Sequence, residues 1–151
     1  MKEEVLRIGD VKVFTHPVVM RCFGLCSCIG LFVKDRNTGV SGGAHIFLPD
    51  DIENPNATFS ASVNTLLEKM KTHGSTLSGL RAKLTGGSNL LGKDLDIGAL
   101  NIASVIGQLH KHGVFIAARD VGGCKSRSAQ FDATTESLVI HSFETKQTIT
   151  I

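Results

Sequence analysis

Gly24-Leu25-Cys26-Ser27-Cys28-Ile29-Gly30-Leu31-Phe32-Val33 and Gly42-Gly43-Ala44-His45-Ile46-Phe47-Leu48-Pro49 are the two stretches on which the reading of this chain turns. Each is an apolar run of strand length with a reactive side chain at its head. Between them, Arg36-Asn37-Thr38-Gly39 supplies turn residues, so the spacing predicts two neighbouring strands joined by that turn. Such a pair brings Cys28 and His45 side by side, although seventeen residues separate them in the chain. A thiol next to an imidazole is the minimum equipment for thiol acyl transfer, because the imidazole can take the proton that makes the sulfur nucleophilic. Taken alone, a cysteine in an apolar run is a small buried hydrophobe, so the pair is a candidate and not yet a site.

Outward from these stretches the pattern gives blocks of strands with two helices among them. Val5 to Phe14 reads as two short strands around Gly9-Asp10, a hairpin turn. Val18 to Phe23 is another strand, and Gly24 lets the backbone turn just before the cysteines. Asp50 to Pro55 reads as an acidic loop, with too few ligands in Asp50, Asp51 and Glu53 for calcium. A helix is predicted from about Ser60 to His73, capped by Ser60 or Ser62, burying Val63, Leu66, Leu67 and Met70 and stopped by Gly74. Leu80 to Thr85 is a strand, and Gly86-Gly87 after it lacks the lysine and hydroxyl residue of a nucleotide loop. A second helix runs from Ile97 to His112 and buries Ile102, Val105, Ile106 and Leu109, with Gly113 as its stop. Val114 to Ala118 is a strand, and a last hairpin pairs Ser128–Phe131 with Ser137–Phe143. Strands in blocks with two helices among them predict an α+β fold, and 151 residues predict a single domain spanning 1–151.

Composition excludes several classes. Hydrophobic residues make up 42% and charged residues 20%, as in ordinary globular proteins. A net charge of +2, with no Trp or Tyr, gives no footprint for nucleic acid. No apolar run approaches the ~18 residues that would predict a membrane span. The charged start Met1-Lys2-Glu3-Glu4 leads into no signal-peptide core, so the four cysteines are expected as thiols in the cytoplasm.

The run GLCSCIGLFVKD…GGAHIFLP resembles the signature of the CheD family, the chemoreceptor glutamine deamidases. Lys83-Leu84-Thr85-Gly86-Gly87-Ser88-Asn89 resembles that family's K-x-x-G-G-x-N segment, and Asp120-Val121-Gly122-Gly123 its D-V/I-G-G segment. The four segments stand in the expected order from about Val11 to Ile140. The resemblance implies a layered α/β/β fold distantly similar to cytotoxic necrotizing factor type deamidases. It implies Cys28 as nucleophile and His45 as base, acting without a cofactor on glutamines of methyl-accepting chemoreceptor cytoplasmic domains. It also implies a second partner, a CheC-type phosphatase, so that a binding module regulating that phosphatase is the alternative to an enzyme. An amidase for small molecules is a third reading.

Two positions depart from the family pattern. Cys22 stands where the family has a threonine that orients the histidine, which makes it a candidate third site residue or simply a core thiol. Cys26 replaces a glycine and creates Cys-x-x-x-Cys-x-Cys, opening two rival readings. One is a Cys₃His zinc centre with His45, against which strand alternation and the tight spacing both speak. The other is redox control, with Cys22 or Cys26 resolving an oxidised Cys28. Backbone amides around Ser27-Cys28 are the expected oxyanion donors, with Ser27 bracing the bend. Cys124, Lys125 and Arg127 read as a solvated loop, whose cations would at most meet acidic groups on a partner.

Overall fold

The computed structural model describes residues 1–47 and 55–151, with side chains from 61 onward in the first helix. The strand stop expected at Pro49, the acidic loop Asp50, Asp51 and Glu53, and the Ser60 cap lie outside the described residues.

Ten strands and two α-helices follow in the order β1 (Lys2–Val5), β2 (Val11–Phe14), β3 (Val18–Leu25), β4 (Ile29–Asp35), β5 (Ser41–Ile46), α1 (Pro55–Thr72), β6 (Leu80–Gly86), α2 (Ile97–Lys111), β7 (Phe115–Val121), β8 (Arg127–Asp132), β9 (Leu138–Ser142) and β10 (Gln147–Thr150), among the described residues. They form two mixed five-stranded sheets, β1-β3-β8-β9-β10 and β2-β5-β4-β6-β7. Both helices lie on the outer face of the second sheet, and the first sheet covers its inner face. The result is an α+β fold in three layers, the class that the order of elements predicts and the layering that the family resemblance implies.

Alternation along β4 explains the layering. Ile29, Leu31 and Val33 face the helices with Val63, Leu66, Leu67, Met70, Val105 and Leu109, whereas Phe32 faces the other sheet and stacks on Phe131 at 5.3 Å between ring centroids. A strand buried on both faces has no polar side to show, which is why it reads as an unbroken apolar run. Its neighbour β5 is thin. A Cβ on Gly42 would stand 2.6 Å from Leu66 Cδ1, and one on Gly43 would stand 2.7 Å from Leu6 Cδ1, so the two glycines let both covering layers close on the strand.

The structure corrects two predictions. Val5 to Phe14 is not a hairpin: β1 pairs in parallel with β3, and β2 pairs with β5 in the opposite sheet. The intervening segment crosses between layers because Leu6 is drawn into the inter-sheet core at 1% exposure. The first helix also begins earlier than expected, at Pro55, so Ser62 lies inside it and caps nothing. The second helix is capped by Asp96, whose side chain accepts from Ala99 N at 2.9 Å. Among the described residues no helix is long and apolar enough to cross a membrane.

Leu66→Ala is expected to lower the unfolding free energy by about 2–5 kcal/mol, because α1 cannot follow the lost side chain down onto Gly42. Guanidinium denaturation followed by far-UV circular dichroism checks it, with an unchanged m-value expected.

Candidate active site

The predicted hairpin forms. β4 and β5 are antiparallel, with Gly30 opposite His45 and Ile29 opposite Ile46. The connecting turn is held by Asp35, whose carboxylate accepts from Asn37 N and Thr38 Oγ1. His45 and Gly30 share the inner face of the sheet. Cys28 precedes β4 and packs against the same inter-sheet cluster, on the face His45 occupies. No hydrogen bond joins the two side chains among the described residues.

His45 is 3% exposed and held by main chain. Its Nδ1 lies 3.0 Å from the carbonyl oxygen of Leu6. A carbonyl only accepts, so Nδ1 carries the proton and Nε2 presents a lone pair. Nε2 is buried and has no partner among the described residues. The Leu6 carbonyl is there because of the layer crossing, which is stitched to β5 by Gly9 N to His45 O at 2.9 Å and His45 N to Asp10 O at 3.1 Å. Burial pushes the His45 pKa below its ordinary value, and the Leu6 carbonyl and the Asp10 charge offset this only in part. His45 opens onto a cleft of about 430 Å³ lined also by Val5, Ile8 and Phe23, the last two 63% and 54% exposed.

The bend at residues 26–28 is pinned by its carbonyls. Cys26 O accepts from Ser88 N at 2.7 Å, Ser27 O from Asn101 Nδ2 at 2.6 Å, and Cys28 O from Gly87 N at 2.9 Å. The amides of Ser27 and Cys28 donate to no acceptor among the described residues. Gly86 is required by contact, since a Cβ there would fall 2.1 Å from Cys28 O, and its φ of +112° favours glycine as well. Thus Gly86-Gly87-Ser88 forms the bed on which the cysteine bend lies. Burial raises the Cys28 thiol above its ordinary value, and the neighbouring Cys26 adds to the rise. Both shifts favour the neutral forms of the two groups, thiol and imidazole.

Cys22 lies fully buried in the inter-sheet core, with Sγ 3.4 Å from where a Cβ on Gly30 would stand. Burial first, then the Cys28 and Asp10 charges, push its thiol up to about 12, so it stays protonated. It makes no hydrogen bond to His45 among the described residues; the Leu6 carbonyl does the orienting. Cys26 lines a second hollow of about 270 Å³ with Leu90, Leu91 and Leu95. Among the described residues no three cysteine, histidine or carboxylate groups are gathered as a metal centre would need. Cys124 is exposed.

Arg127 is the residue that sequence reading misplaced. It lies at 1% exposure in β8, not in a solvated loop. Its guanidinium reaches Ser88 Oγ at 2.7 Å, Gly122 O at 2.9 Å, Asp120 Oδ2 at 3.2 Å and Gly86 O at 3.4 Å. Ser126, just before it, is the surface residue, bonded through both N and Oγ to Glu144. The only local signal for burial was the alternation of Arg127, Ala129 and Phe131 along one strand face. Leu6 and Asn101 gave no signal, because each acts through a main-chain contact distant in sequence.

A family model described as CheD chemotactic sensory transduction matches residues 47–142, which include the Gly86-Gly87 and Asp120–Gly123 segments but begin just beyond His45. The chain is 32% identical over 142 residues to the chemoreceptor glutamine deamidase CheD of Thermotoga maritima, covering 91% of this chain and 90% of that one. It is 34% identical over 145 residues to the probable chemoreceptor glutamine deamidase CheD of Haloarcula marismortui, covering 91% and 84%. It is 34% identical over 151 residues to that of Clostridium novyi, covering 92% and 93%.

Two outcomes follow for this site. Because the folded His45 binds its proton less readily than the unfolded chain does, the unfolded state gains protons first as pH falls. Stability should then decline from the ordinary imidazole value near ~6.5 downward to the folded value, and His45→Gln should flatten that slope in denaturation series run across it. Arg127→Met removes the guanidinium donor from Ser88 Oγ, Gly86 O and Gly122 O and leaves the Asp120 carboxylate without its cation. It should cost about 3–5 kcal/mol by the same assay.

Proposed function

The chain belongs to the CheD family, and on that premise we propose that it is a chemoreceptor glutamine deamidase working through Cys28 and His45. Specific glutamine side chains on the cytoplasmic domains of methyl-accepting receptors become glutamates, with release of ammonia. The observation that carries the mechanism is the 3.0 Å contact between His45 Nδ1 and the Leu6 carbonyl, which fixes the tautomer. With Nδ1–H committed to the Leu6 carbonyl, Nε2 is a base on the face where Cys28 lies.

The steps follow from these atoms. As Sγ of Cys28 attacks the carboxamide carbon, its proton passes to Nε2, and the carbonyl oxygen becomes an oxyanion facing the free amides of Ser27 and Cys28. The imidazolium returns the proton to the carboxamide nitrogen, ammonia leaves, and a thioester remains. Water then attacks the thioester, giving its proton to Nε2, and collapse frees the glutamate and the thiol. A neutral thiol with a depressed imidazole suits this route better than a standing thiolate–imidazolium pair would, because the base must be unprotonated when substrate arrives. Cys22 fills the space under Gly30 and closes the floor of the site.

A second reading rests on the exposed Val5, Ile8 and Phe23 that line the His45 cleft. Apolar side chains at such a mouth suit a protein surface rather than a small molecule. A CheC-type phosphatase seated there would make the chain a regulator that shares its face with the receptor substrate.

Intact-mass and peptide mapping of a receptor cytoplasmic fragment tests the enzyme. A gain of about 1 Da per glutamine is expected with the native protein and none with Cys28→Ala or His45→Ala. An equal gain with either variant would remove that residue from the mechanism.

A further inference from the structure

We propose that Asn101 is a positioning residue for the oxyanion donors: by holding the Ser27 carbonyl it turns the Cys28 N–H toward the substrate. The role rests on the deamidase reading above. Asn101 lies on α2, fully buried and seventy-four residues away from Ser27, yet its Nδ2 donates to Ser27 O at 2.6 Å. That oxygen belongs to the peptide unit whose nitrogen is Cys28 N. Among the described residues all peptide bonds are trans, and in a trans peptide the C=O and N–H point in opposite directions. A carbonyl drawn inward to Asn101 therefore sends the Cys28 N–H outward. The same hydrogen bond polarises the peptide and makes that N–H a stronger donor.

The remainder of Asn101 supports a role beyond packing. Its Oδ1 is buried and has no partner among the described residues. An unsatisfied buried acceptor costs about 1–3 kcal/mol. An apolar side chain of similar size would avoid that cost, so the donor is what the position supplies. Helix α2 approaches closely enough to deliver it only because residue 98 is glycine. A Cβ there would fall 2.2 Å from Gly87 O and 2.5 Å from Ser88 O. Gly98 and Asn101 stand one turn apart, on the helix face that rests on the Gly87-Ser88 backbone. Ser88 N and Gly87 N fix the peptide units on either side through Cys26 O and Cys28 O. Asn101 supplies the one clamp of the three that comes from a side chain.

The test compares the native protein with Asn101→Ala on a receptor cytoplasmic fragment. Three quantities are read: deamidation kinetics by mass, alkylation of Cys28 by iodoacetamide, and the amide nitrogen resonance of Cys28 in labelled protein. A misplaced oxyanion donor should lower kcat about 10–100-fold with KM little changed. Alkylation, a displacement at carbon that forms no oxyanion, should keep its rate. The Cys28 nitrogen should shift, because it senses hydrogen bonding at the preceding carbonyl. Retained kcat, or kcat and alkylation falling together, would overturn the role, the second because the thiol itself would have moved. If the native protein gives no mass gain, the deamidase reading fails by itself. The nitrogen resonance then decides the positioning role, an unmoved signal overturning it. If Asn101→Ala does not fold, Asn101→Ser is read in the same way, with a smaller kcat loss because it keeps a donor on a shorter arm.

Discussion

The guanidinium of Arg127 is the interaction on which the rest of this molecule depends. It belongs to the first sheet, but every group it holds belongs to the end of the second: Gly86 at the close of β6, Ser88 beyond it, and Asp120 and Gly122 at the close of β7. One buried cation thus locks the sheets together at the edge where the cysteine bend sits. Arginine suits the place because its planar fork of donors can serve several fixed acceptors at once, which an ammonium on a flexible stem cannot do. Restraint then passes from the guanidinium to Ser88 and Gly87, and from their amides to the carbonyls of Cys26 and Cys28. Cys28 is thus held in place from 99 residues down the chain.

His45 is governed by a second constraint of the same kind. The chain must pass from the first sheet to the second between β1 and β2, and the crossing brings the Leu6 carbonyl under the imidazole. Three influences act on that ring, and burial outweighs both the carbonyl and the Asp10 charge. Desolvation of the ring favours its neutral form even against the pull of the Asp10 charge. Burial acts on the Cys28 thiol in the opposite sense, keeping it protonated. The two shifts therefore agree: each group waits in its neutral form.

What the sequence reveals of this arrangement is its local part. The β4–β5 hairpin follows from two apolar runs and a turn, and with it the shared face of Cys28 and His45. Both helices are visible in their spacing, and the α+β class follows from the order of elements. The crossing between β1 and β2 is hidden because Gly9-Asp10 looks the same whether it closes a hairpin or changes layers; only the burial of Leu6 between two sheets decides it. The strand β10 has four exposed residues and almost no apolar pattern to announce it. Arg127 beside Lys125 and Cys124 looks like a surface cation, since its acceptors are backbone oxygens brought close only by the pairing of β6 with β7. Charge alone suggests solvent, and a full set of partners reverses that expectation.

The departures at Cys22 and Cys26 fit the same physics. If the histidine were oriented by a side chain at position 22, a thiol there would loosen it, being a weak hydrogen-bond partner. Here the orienting group is the carbonyl of Leu6, which no substitution at position 22 removes. The bend carrying Cys28 is likewise set by carbonyls and by the glycine at 86, so a thiol in place of a smaller group at 26 leaves the clamps untouched and changes only the wall of the neighbouring hollow. A site built from main-chain atoms tolerates variation in the side chains around it. It is intolerant at the glycines that let backbone meet backbone: a methyl at Gly86 or Gly98 would strike a carbonyl oxygen directly, and no rotamer change would clear it.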